Sequence, residues 1–198
     1  DEHLKAAENF NVASNNYRSA AEKLPQLKDF YQDQAVYMEA WIEIEKARHR
    51  HPRQEYSLAK EHYKKAATMH KSLKQWSYLA PNYFAWAQIE NAEDLSRSEK
   101  SEEALKAFEE AAKLFTETKK SLEIKLREIE NLDEKTMATN LTIASDIRRE
   151  YCLGRMALEE AKILDKKGDH YSSSEKYGSA TETFERILQA LESEQDRR

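Results

Sequence analysis

The chain has 198 residues, only three glycines and three prolines, and a formal net charge of −5. So few turn formers exclude a fold of many short strands, because each hairpin needs positive-φ or pre-bent residues. Charged residues (35%) are interspersed in sign, which argues against nucleic acid as the main partner, while ten Tyr, six Phe and three Trp provide core material that a disordered chain lacks.

The charge is arranged as helix-surface pairs. Glu102/Lys106, Glu109/Lys113 and Glu123/Arg127 stand i,i+4 with the acid first, the favourable order on a helix. The lone cysteine, Cys152, allows no internal disulfide and fits a reducing compartment. With no run of 18 apolar residues and no leader pattern, no transmembrane segment and a cytoplasmic location are expected. With Asp1 in place of a methionine, a processed protein or, ahead of it, a fragment of a longer protein is expected.

Helical periodicity predicts about seven helices. The first covers 2–23 and stops before Pro25, with Ala6, Phe10, Ala13, Tyr17 and Ala20 on one stripe. The second spans 26–49 and ends at His51-Pro52, because a residue before proline is pushed out of helical geometry. A third covers 53–74, and a fourth covers 80–97 with Pro81 in its first turn. Ser98 or Ser101 is expected to cap a fifth, whose period continues through Ile129 until Asn131-Leu132-Asp133. The sixth spans 134–167, closed by Gly168-Asp169 as a glycine cap. The seventh covers 170–193, and the charged tail from Glu192 to Arg198 is expected to fray.

Four segments repeat. Ala13/Tyr17/Ala20, Ala59/Tyr63/Ala66, Ala104/Phe108/Ala111 and Ser173/Tyr177/Ala180 each read small, aromatic four later, small three later. That spacing puts all three on one helical stripe, where small residues admit a neighbouring helix and the aromatic fills the groove beside it. Twelve residues before the later three starts stand Ala47, Ala92 and Ala161.

This pattern resembles the tetratricopeptide repeat, as does the Gly168-Asp169 interhelix turn. The resemblance implies an all-α, right-handed superhelical solenoid forming one domain over 1–198. Successive starts lie 46, 45 and 69 residues apart, against about 34 in the family. The excess of about 11 residues is three helical turns, so longer helices are expected, as in the soluble NSF-attachment-type adaptors. The 69-residue gap fits either a degenerate repeat near Ala138 or one long hairpin over 101–167. The unbroken period of 105–129 favours the hairpin.

The resemblance implies a non-catalytic protein- or peptide-binding scaffold or adaptor. A self-assembly element, with a homo-oligomer as its product, or a regulatory arm of an enzyme elsewhere on the full polypeptide are the alternatives. Its concave face would use Trp41, Glu45 and Arg48, then Trp86, Glu90 and Glu93, then Arg148, Arg155, Glu159 and Lys162. Arg148, Arg155 and Lys162 at i, i+7 and i+14 form a stripe suited to an acidic peptide or a terminal carboxylate. Leu158 and Lys162 stand where chaperone-binding relatives carry Lys and Asn, which argues against chaperone-tail binding. The basic run Arg48–Arg53 suits a helix C-terminus more than a phosphate site. The aromatics Trp76, Tyr78, Tyr83, Phe84 and Trp86 suit packing between helices three and four. No metal-binding spacing, phosphate loop or nucleophile motif occurs, so neither cofactor nor catalytic residue is assigned, and Cys152 reads as a buried small hydrophobe.

Overall fold

A computed structural model describes residues 2–195. Among them the chain forms seven α-helices: α1 Glu2–Lys23, α2 Lys28–Arg50, α3 Tyr56–Ser72, α4 Ala80–Arg97, α5 Ser101–Lys125, α6 Leu132–Lys166 and α7 His170–Gln195. Short 3-10 turns at Pro25–Leu27, His51–Arg53 and Ser77–Leu79 fill three of the connections. The helices pack mainly in sequence and antiparallel, in two compact units, residues 1–90 and 91–198. The residues from Glu192, expected to fray, stay helical to Gln195, and 196–198 lie outside the described residues.

In the first unit α2 packs on both α1 and α3. Ala35, Ala40, Ile44 and Ala47 of α2 are buried, as are Ala59, Tyr63, Ala66 and Ala67 of α3. Small side chains at the crossing let bulky aromatics fill the remaining space. Tyr63 stacks on Tyr83 and Trp86 at centroid distances of 6.3 and 5.6 Å, and Tyr37 stacks on Trp76 at 4.3 Å. The aromatics around Pro81 are thus packing residues of the first unit, with Trp76, Tyr78 and Tyr83 all buried.

In the second unit α6 packs on both α5 and α7, so 101–166 is a long helical hairpin. Phe108, Phe115 and Leu122 are fully buried along α5, and Ala92, Ala104 and Ala107 surround Phe108. Helix α5 ends at Lys125, earlier than the period through Ile129 suggests, although Ile129 is itself buried beyond the helix end. Asn131 is not a breaker but the N-cap of α6: its side chain accepts from the Glu134 amide at 2.9 Å. The expected serine cap of α5 is absent. Lys100 holds the cap position without a side-chain bond, and Ser101 is the first helical residue, buried.

Three helix ends share one device. Gln54 (φ 58°), Glu99 (φ 58°) and Gly168 (φ 82°) take left-handed geometry. In each case the next amide reaches back five residues: Glu55 to Arg50, Lys100 to Leu95, Asp169 to Leu164. Only the third uses glycine.

Gly154 marks a close approach of α6 and α7. A Cβ there would meet two Phe184 ring carbons at 2.9 Å. Gly154→Ala is therefore expected to destabilise the fold by about 1–3 kcal/mol through overpacking, despite alanine's better helix propensity. A urea titration of that variant and of Gly154→Ala/Phe184→Leu checks it: the double change recovers most of the loss, whereas a single variant as stable as the parent would refute the close contact.

Candidate functional site

A buried polar assembly of the second unit lies between α4, α5 and α6. It begins with Arg155, whose side chain is 18% exposed and lies over the Phe108 ring, 4.8 Å from its centroid. A cation in that position gains from the ring's negative face but has lost most of its water. Carboxylate and hydroxyl partners replace that water. Arg155 Nη1 donates to Glu93 Oε2 at 2.7 Å and to the Tyr151 hydroxyl at 3.1 Å, and Nη2 donates to Ser96 Oγ at 3.2 Å. The Tyr151 hydroxyl donates to Glu93 Oε1 at 2.7 Å.

A second carboxylate continues the chain of bonds. Glu159 is fully buried, and its Oε1 accepts from Ser96 Oγ at 2.6 Å and from Lys162 Nζ at 2.7 Å. Burial pushes the Glu159 carboxyl up, yet the bonds from Lys162 and Ser96 outweigh it and hold the group below the usual carboxylate range. Burial, reinforced by the Glu93 charge, pushes the Tyr151 phenol well above its ordinary value. The same two causes push the Cys152 thiol up to about 12, so it stays protonated at neutral pH. The assembly holds two carboxylates and two cations that neutralise one another.

The predicted site residues fall into two sets. Glu93, Arg155, Glu159 and Lys162 come together here. Arg148, on the same helix, is half-buried. Trp86 and Glu90 belong to the first unit: Trp86 is half-buried against Tyr63, and Glu90 is fully buried with Oε1 2.8 Å from His51 Nδ1. Glu45 is buried beneath His3 (2.6 Å) and Arg48 (2.7 Å). Tyr151 and Ser96 also belong to the assembly, although neither was expected as a site residue. The available signal was the i,i+4 spacing of Tyr151 and Arg155 and the i,i+3 spacing of Glu93 and Ser96, which put each pair on one face.

The basic run Arg48–Arg53 is built into a helix end. Arg53 donates to the His49 carbonyl at 2.6 Å, Arg50 to Glu55 at 2.6 Å, and Arg48 to Glu45. Among the described residues no group of three or more His, Cys, Asp or Glu is placed to hold a metal ion. No described helix is long and apolar enough to cross a membrane. Comparison with protein-family models, curated protein sequences and solved structures finds no match to this chain.

Proposed function

We infer that the chain is a non-catalytic protein- or peptide-binding scaffold, a tetratricopeptide-like superhelix with lengthened helices that acts as a cytoplasmic adaptor module. The observation that carries this reading is the repeat. Ala59, Ala104 and Ser173 are buried, as are their first-helix counterparts Ala47, Ala92 and Ala161. In the last pair Ser173 Oγ donates to the Ala161 carbonyl at 3.0 Å, a bond that requires close helix approach. Pairs committed to helix contact at a constant 12-residue separation leave the faces between them for recognition.

The ligand that best fits is an acidic peptide or a terminal carboxylate on the α6 stripe. Within it Lys162 is reached by solvent, its side chain 37% exposed, whereas Arg155 is held by Glu93. One partner carboxylate would take the Lys162 ammonium in exchange with Glu159, and a second would engage Arg148, 14 residues or about four helical turns away. An array of acidic and free-C-terminal peptides probed with the whole chain tests this. Bound sequences are expected to carry paired acids, and Lys162→Ala and Arg148→Ala each to weaken them at least about 10-fold. Capture of no peptide, or equal binding by both variants, would remove the reading.

A further inference from the structure

The repeated aromatic has a different setting in its fourth copy. Tyr17 of α1 stacks on Tyr31 of α2, 6.3 Å between centroids. Tyr63 of α3 is 4% exposed beneath Tyr83 and Trp86 of α4. Phe108 of α5 is fully buried beneath Arg155 of α6. In each case the covering group comes from the next helix in the chain. Tyr177 of α7 is 41% exposed.

The exposure continues along the helix. Tyr177, Phe184, Leu188 and Leu191 stand at i, i+7, i+11 and i+14, one stripe. Phe184 seals against Gly154 and Tyr151, but Leu188 is 59% and Leu191 44% exposed. The adjoining row runs Tyr171, Gly178, Glu185, Glu192 at seven-residue steps. Gly178 is in the helix interior, and a Cβ there would meet nothing within 4 Å. A glycine inside a helix is destabilising relative to alanine, and here no contact among the described residues requires it. Close approach of an outside backbone would. Glu185 and Glu192, both exposed, give that row a negative edge.

We propose that α7 is a docking face for a basic amphipathic helix, which lies over Tyr177, Leu188 and Leu191 with its backbone close to Gly178 and its cations on Glu185 and Glu192. The occupant's chemistry follows from the covered copies and from the charge. In the copy at Phe108 the covering helix supplies an arginine over the ring, and at Tyr63 it supplies aromatics. A second copy of α7 is the poorer occupant, since it would set Glu185 and Glu192 against their own equivalents.

The test uses the whole chain and one labelled peptide, residues 144–166 with Cys152→Ser, Glu150→Lys and Glu160→Lys. This is the chain's own covering helix, given a basic edge. Fluorescence anisotropy is expected to show saturable binding that weakens with salt. Leu188→Lys and Gly178→Leu, both at open positions, should each weaken it at least about 10-fold, and Glu185→Lys/Glu192→Lys should remove most of the salt dependence. Lys162→Ala should leave it unchanged, which separates this face from the α6 ligand site. The proposal is overturned by absence of binding up to about 1 mM peptide or by variants that bind like the parent. Sedimentation of the chain as a dimer that Leu188→Lys dissociates would also overturn it.

Discussion

Arg155→Ala is expected to lower the unfolding free energy by about 3–5 kcal/mol, the range for removing one partner of a buried ion pair. The reason lies less in the lost attraction than in what is stranded. Glu93 is 8% exposed and depends on Arg155 for its charged partner, with the Tyr151 hydroxyl as what remains among the described residues. Phe108 would also lose the guanidinium that covers it. The double change Glu93→Gln/Arg155→Met removes both charges, keeps an acceptor for Tyr151 and refills the volume over the ring. It is therefore expected to recover more than half of the loss, since a buried pair replaced by packed neutral groups is often close to neutral. Urea midpoints at constant slope measure both variants. A single variant within about 1 kcal/mol of the parent would show that solvent, not Arg155, compensates Glu93.

That assembly also shows what the sequence carried and where it stopped. Position on a helix follows from periodicity, so Arg155 and Lys162 were legible as one stripe of α6, and Ala47, Ala92 and Ala161 as contact points. What lies opposite does not follow, because α4 and α6 meet across about 60 residues of chain. A stripe of cations reads as wholly open until Glu93 is seen to hold Arg155 and Glu159 to share Lys162, which leaves Lys162 the more exposed of the two. Helix ends were legible where glycine or proline forms them, at Pro25 and Gly168. They were less so at Gln54, which fell inside the expected third helix, because an ordinary residue in left-handed geometry has no compositional mark. Asn131 was misread for a related reason: the residue that interrupts one helix pattern is the one that caps the next.

His70 is expected to make the fold lose roughly 3 kcal/mol between pH 6.5 and 4. The ring is fully buried, stacked 5.2 Å from Tyr83 and edge-on 5.6 Å from Tyr37. Neither ring nitrogen has a hydrogen-bond partner among the described residues. Burial alone lowers its pKa from 6.5 to about 4. The folded state therefore binds this proton less readily than the unfolded chain, and stability present above 6.5 declines as pH falls toward 4. A second loss begins lower. Burial opposes ionisation of Glu43, but hydrogen bonds from His62 and Lys46 hold its carboxyl down from 4.5 to about 2, and that stabilisation fades as pH falls through this range. The two windows barely overlap, so a change at residue 70 isolates the first. His70→Phe keeps an aromatic ring of similar size and removes two unpaired nitrogens. It is expected to be no less stable than the parent at pH 7 and to show a flatter decline to pH 4.5. Urea unfolding of both proteins across that range decides the matter, because every other group is common to the two proteins and cancels in the difference. Parallel pH curves for parent and variant would mean that His70 is reached by water in the folded state and is not the acid-sensitive group.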